Sequence, residues 1–139
     1  MPFVVDASVA LAWAFVDEDD PRASAALDRI RNDEALVPSI WWFEIRNTLV
    51  INERRGRLTE AETAAFLRTL SRLAVTVDRQ PGEAEVLALA RRHRLSIYDA
   101  AYLELAQRET LPLATLDREL ISAARVEQVP LVGDALRRD

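Results

Sequence analysis

Cysteine is absent from the 139 residues, which removes disulfides, thiolate metal sites and cysteine nucleophiles together. Lysine is absent as well, so all 18 Lys/Arg positions are arginine, and any mechanism that needs a lysine amine is excluded. No apolar run approaches the roughly 20 residues of a membrane helix. The opening Met1-Pro2-Phe3-Val4-Val5 has no basic region of a secretory signal. A cytoplasmic protein without membrane contact is expected. Positive charge is also scarce: 18 basic against 23 acidic residues leave a net charge of −5. That balance argues against binding nucleic acid by bulk electrostatics, although bound dications would offset it locally. The length suits one domain over residues 1–139, and 50% apolar residues can build a core.

Strands alternate with helices along the chain. Phe3 to Asp6 reads as a buried strand and Ser8 to Phe15 as a short apolar helix. Asp17 to Asp20 is an acidic link before a helix from Pro21 to Ile30. Ala35 to Val37 is a second strand, stopped by Pro38. Ser39 is the expected N-cap of a long helix that ends near Gly56. Thr59 and Glu62 form a capping box for the next helix. A third strand, Ala74 to Val77, precedes helices ending near His93 and spanning Ser96 to Arg108. Leu113 to Leu116 is a fourth strand, Asp117 to Arg125 a helix, and Pro130 to Val132 a last short strand. Strands joined through helices imply βαβ units and a mostly parallel sheet.

Against this pattern four acids stand at element boundaries or on an apolar helix: Asp6, Glu44, Asp99 and Asp117. Each also has a structural explanation. Asp6, Asp99 and Asp117 could cap the helices that follow them. Glu44 lies on a helix carrying Trp41, Trp42, Phe43, Ile45, Leu49 and Val50, which is expected to be buried over much of its surface. A buried carboxylate there needs a metal or a partner, for instance a core arginine. Together the acids say more. Parallel sheets gather ligands at the carboxyl ends of their strands. Two carboxylates about 4 Å apart repel by roughly 4 kcal/mol at an effective dielectric near 20, which a dication or shared protons must relieve. With oxygen ligands alone, Mg²⁺ or Mn²⁺ suits better than zinc. His93, within Arg91-Arg92-His93-Arg94, reads as part of a solvated helix end.

The motifs Val4-Val5-Asp6-Ala7-Ser8-Val9, Pro38 through Trp42-Phe43-Glu44-Ile45-Arg46-Asn47, Tyr98-Asp99-Ala100-Ala101-Tyr102 and Leu113-Ala114-Thr115-Leu116-Asp117 resemble the PIN domain. More narrowly, they resemble the VapC toxins of bacterial type II toxin–antitoxin modules. The likeness runs from Phe3 to about Val132. It implies a three-layer α/β/α fold with a five-stranded parallel sheet in the order 3-2-1-4-5. It also implies a Mg²⁺- or Mn²⁺-dependent endoribonuclease, a homodimer, held inactive by a VapB antitoxin. Asp6, Glu44, Asp99 and Asp117 match the family's acidic positions, and Ser8, Asn47 and Thr115 match polar positions around them. Leu120 departs from the aromatic residue many members carry there. The last motif offers one clear acid, Asp117.

No Ser–His pair, cysteine or lysine stands out as a nucleophile, so water is the expected attacker. A metal held by Asp6, Asp99 and Asp117 would activate it, with Glu44 positioning the water or helping a second ion. Ser8, Asn47 and Thr115 would orient the carboxylates. The arginines at 54, 55 and 57 and at 91, 92 and 94 could meet phosphates or simply cap helix ends. Trp13 and Trp42 are candidates for an apolar antitoxin dock. A catalytically idle binding module is the competing reading, and DNA remains an alternative substrate to RNA.

Overall fold

The computed structural model describes residues 1–15 and 19–134. Its strands are β1 (Phe3–Val5), β2 (Ala35–Pro38), β3 (Val75–Asp78) and β4 (Leu113–Ala114). Its helices are α1 (Ala7–Ala12), α2 (Pro21–Ile30), α3 (Ile40–Arg54), α4 (Glu60–Ser71), α5 (Glu83–His93), α6 (Ile97–Glu109) and α7 (Arg118–Val126). All strand pairs are parallel and run in the order β3-β2-β1-β4. β1 is central and wholly buried, which is why its sequence is continuously apolar instead of alternating. β3 is the outer strand and is more open.

The sheet has four strands among the described residues, not the five expected. Residues 130–132 lie beside β4 but form only an isolated parallel bridge between Leu113 and Leu131. Leu113 N–H donates to Pro130 O at 2.8 Å and Val132 N–H to Leu113 O at 3.0 Å. Pro130 has no N–H to extend the ladder, and Gly133, at φ 91°, turns the chain away. The neighbour is therefore where a fifth strand was expected, with too little regular backbone to count as one.

Local chemistry sets most helix starts. Asp20 accepts from Arg22 N–H with Pro21 opening α2, and Thr59 and Glu62 complete the expected capping box. Ser96 Oγ accepts from Asp99 N–H at 3.0 Å to start α6. Ser39, by contrast, is helical and makes no capping bond. The acidic link expected at 17–20 lies partly outside the described residues. The first helix is shorter than its apolar run, ending at Ala12.

α6 packs against β1, β2 and β4 and against α5 and α7, and a buried carboxylate fixes it lengthwise. Glu104 accepts from Gly82 N–H at 3.1 Å and from Arg108 Nε at 2.7 Å. Arg108 also reaches Asp78 at the end of β3, and these two carboxylates push its pKa up. A Cβ at Gly82 would stand 3.0 Å from Glu104 Oε1, so the backbone approaches this carboxylate about as closely as it can. The second exposed-looking cluster is likewise tied down. His93 is not solvated as expected: Nε2 lies 2.7 Å from Glu127, which also accepts from Arg92 and Gln107. Burial opposes the charge on Glu127, yet these partners hold its pKa low. Glu104→Ala should lower unfolding free energy by about 3 kcal/mol, because it strands a backbone donor and breaks a largely buried ion pair. Urea denaturation measures this, and a change below about 1 kcal/mol would show that Arg108–Asp78 alone suffices.

Candidate active site

Asp6 is the first residue past β1, at the carboxyl edge of the sheet, and is 4% exposed. Its position is set by a main-chain bond from Asp6 N–H to Ala114 O, 2.9 Å, which stitches β1 to β4. Two hydroxyls then define its side chain. Ser8 Oγ donates to Oδ2 at 2.8 Å, and Thr115 Oγ1 donates to the same oxygen at 2.7 Å. Both hydroxyls are themselves aimed by backbone: Leu116 N–H donates to Ser8 Oγ and Asp117 N–H to Thr115 Oγ1. Asp6 stands at the N-cap of α1 but makes no capping bond. Its carboxylate is reserved for the cleft.

The other three acids come from separate elements. Asp117 caps α7 through Leu120 N–H at 2.9 Å, so here the capping reading is correct, and one oxygen remains free of it. Asp99 lies in the first turn of α6, its main-chain N–H donating to Ser96 Oγ, whose hydroxyl also steadies the Asp99 carboxylate. Glu44, one turn into α3, is half-buried and accepts from Tyr102 Oη at 2.7 Å. Among the described residues no arginine pairs with it, so the core salt bridge is not formed.

Charge shows that the four converge. Burial pushes the Asp6 carboxyl up to about 6; the Thr115 and Ser8 hydrogen bonds oppose that, while the charges of Glu44 and Asp117 add to it. Burial also lifts Asp99 to about 6, reinforced by Asp6 and Asp117. Glu44 is raised by burial and by Asp99, against the Tyr102 hydrogen bond. Tyr102 is itself pushed up by burial and by the charges of Asp6 and Glu44, so it stays a donor. Repulsion among acids is thus built into the fold.

Two groups were not singled out from sequence. Tyr102 falls one turn after Asp99 on the buried face of α6. Glu119 follows Asp117 by two residues and raises Asp99 further through its charge. Spacing to a known acid was the available signal for both. Asn47, conversely, is exposed and makes no hydrogen bond to the acids among the described residues. It lines a groove of about 660 Å³ with Trp42, Phe43, Glu44, Val50 and Tyr98.

That groove limits the burial of α3, which was expected over much of its surface. Trp41, Ile45 and Leu49 enter the core, but Trp42 is 49% and Phe43 62% exposed. Arg46 lies over the Trp42 ring, 3.9 Å from its centroid. Trp13 is half-buried, its Nε1 donating to Ala23 O, and it does not line this groove.

The comparisons agree with this architecture. The sequence model of the PIN domain matches residues 3–126. Ribonuclease VapC3 of Pyrobaculum aerophilum is 35% identical over 124 residues, covering 86% of this chain and 92% of that protein. VapC ribonuclease Mb0985 of Mycobacterium bovis is 35% identical over 124 residues, covering 89% and 92%. Among solved structures, PAE2754 from Pyrobaculum aerophilum superposes with a TM-score of 0.69 at 26% identity, covering 88% of this chain and 84% of that one. VapC20 of Mycobacterium tuberculosis, described as a sarcin-ricin loop cleaving toxin, shares the fold at 17% identity with a TM-score of 0.61, covering 88% and 95%. A buried aspartate at the end of the central strand, three further acids closing on it and this degree of likeness lead to one assignment: the chain belongs to the PIN-domain family, in its VapC branch.

Proposed function

We propose that the protein is a Mg²⁺- or Mn²⁺-dependent endoribonuclease, the toxin of a VapB–VapC-type pair. The observation that carries this reading is the convergence of Asp6, Glu44, Asp99 and Asp117 from separate elements, where burial, reinforced by mutual repulsion, lifts Asp6 and Asp99 to about 6. The ribonuclease names of the similar proteins support it, and their VapC membership implies a VapB antitoxin.

The donor set fits a hard cation. The hydrogen bonds to Asp6, Glu44 and Asp117 engage Asp6 Oδ2, Glu44 Oε1 and Asp117 Oδ1, so each keeps a second oxygen for a cation. Among those residues no three His, Cys, Asp or Glu side chains already stand close enough to hold an ion unaided. That spacing suits an ion that keeps several of its waters and takes only one or two carboxylates directly. Asp6, Asp99 and Asp117 would hold it, one or two of them directly and the rest through its waters. When bound it supplies positive charge for the phosphoryl oxygens and lowers the pKa of the attacking water. The chain's own part is orientation. Ser8 and Thr115 fix Asp6 through one oxygen and leave the other for the cation, and Tyr102 holds Glu44 to position water. Attack by water, not by the ribose 2′-hydroxyl, leaves a 5′-phosphate and a 3′-hydroxyl. The exposed Trp42, Phe43, Val50 and Tyr98 supply the apolar surface that an antitoxin or a second copy requires.

The test is cleavage of cellular RNA by antitoxin-free protein with Mn²⁺ or Mg²⁺ against EDTA, with Asp99→Asn alongside. Metal-dependent cutting that is lost in the variant is expected; wild-type rates in Asp99→Asn would falsify the role of that acid. Mn²⁺ at a hundred times its dissociation constant should also add about 2.7 kcal/mol of stability, whereas an idle module gains nothing in a thermal-shift assay.

Tyr102→Phe keeps the ring in the core and removes the hydroxyl from Glu44. Cleavage should fall by about tenfold while stability changes by no more than about 1 kcal/mol. Unchanged kcat would mean that Glu44 needs no such support.

Without metal, stability should fall as pH rises. Asp6 and Asp99 hold their protons to about pH 6 when folded but release them near 3.8 when unfolded. Their favourable share is therefore complete below the unfolded value and is lost as pH climbs through about 6. For the buried Asp6 the loss is at most about 3 kcal/mol. Asp6→Asn should flatten the decline in urea midpoint between pH 4 and 7 in EDTA. A steeper decline in the variant would show that the hydrogen bonds from Ser8 and Thr115 outweigh the repulsion.

A further inference from the structure

We propose that the groove between the α5–α6 turn and α7 is a nucleotide subsite beside the acid cluster, with Arg94 and Arg118 taking an RNA phosphate that flanks the scissile one. The inference rests on the ribonuclease reading above and extends it to substrate positioning. The groove holds about 420 Å³ and is lined by His93, Arg94, Arg118, Glu119, Ser122 and Val126. It adjoins the acid cluster through the start of α7, where Arg118 and Glu119, both lining the groove, directly follow Asp117. A strand whose scissile phosphate sits at the acids would have this wall beside its flanking phosphate.

Several arginines form no ion pair among the described residues, and Arg94 and Arg118 are the two of these that line the groove. Arg22, Arg29, Arg31, Arg92, Arg108 and Arg125 are all engaged by carboxylates. Arg94 and Arg118 are exposed and form no ion pair among the described residues. The ring of His93 is already committed to Glu127, so the free cations of the groove are these guanidiniums, whose forked donors match a phosphate. Glu119, the carboxylate lining the groove, stands on the side of the acids. Val126, 69% exposed, offers apolar surface for a ribose or base. Arg94 also sits at φ 54° as the C-cap of α5, a conformation that glycine adopts with less strain. The fold accepts an arginine there despite that strain.

The strain supplies a clean variant. Arg94→Gly removes the charge and relaxes the backbone, so its melting temperature should equal or exceed that of wild type. Arg118→Ala is its companion. Arg72→Ala, at the C-terminus of α4 just before β3 enters the sheet, tests a cation at the opposite edge. With a short single-stranded RNA substrate and Mn²⁺, Arg94→Gly and Arg118→Ala should each raise KM about five- to tenfold with kcat within about twofold. Each should reduce the slope of log(kcat/KM) against log salt concentration by about 0.7, and Arg72→Ala should change neither. Anisotropy titration of the same labelled RNA, which needs no cleavage, should show matching losses in affinity. Wild-type affinity and salt slope in both groove variants overturn the subsite while leaving metal-dependent cleavage intact. Loss of cleavage by the wild-type protein in every metal, with arginine-dependent RNA binding retained, would instead remove the nuclease reading and leave the clamp.

Discussion

The structure turns on the burial of one carboxylate. Asp6 ends the central strand with almost no solvent contact, and an isolated charge there costs several kcal/mol. Ser8 and Thr115 relieve part of that cost from two directions. Each is tied in turn to the backbone of the β4–α7 connection, Ser8 through Leu116 N–H and Thr115 through Asp117 N–H. One carboxylate thus fixes the junction of β1, β4 and α7. The remaining cost is left in place as a raised pKa, which is the form in which a cation would find it.

The rest of the molecule positions the other acids against that point. α6 crosses the sheet and is held at its far part by Glu104, Gly82 and Arg108, so Asp99 at its near end has little freedom. Tyr102 lies one turn on, buried, and reaches across to Glu44 on α3. Two helices and two strands are therefore coupled through polar contacts as well as through the core. Around this centre the surface divides: an apolar groove along α3 on one side, and unpaired arginines beside α7 on the other. A chain with a net charge of −5 keeps local positive charge even so, because six arginines are paired with carboxylates and others, Arg94 and Arg118 among them, form no ion pair among the described residues.

Legibility followed sequence distance. The capping box at Thr59, the proline-led start of α2 and the Ser96 cap were readable because their partners lie within a few residues. Apolar runs marked the strands. Ser39 failed as a cap because the backbone is already helical there, a matter of main-chain geometry that residue type does not fix. The final strand faded into a bridge because Pro130 and Gly133 bracket it. α3 looked buried over much of its surface because periodicity counts apolar residues but cannot say how many neighbours are available to cover them. Trp41 and Trp42 are adjacent and alike, yet one is core and the other surface.

By itself, the sequence determined which chemistry is open to this protein: no thiol, no amine, acids at strand ends and helix starts, and an alternation of elements that makes a parallel sheet. It also marked the four acids that the fold brings together, since residue type and boundary position are local properties. Tertiary structure decided what those acids experience. Asp6 meets Thr115 across 109 positions of chain and Glu44 meets Tyr102 across 58, and the raised pKa values, the bound and free oxygens and the unpaired state of Arg94 and Arg118 exist only once those distances are closed. Coulombic and desolvation energies depend on separation in space, and only the packed sheet and helices fix that separation.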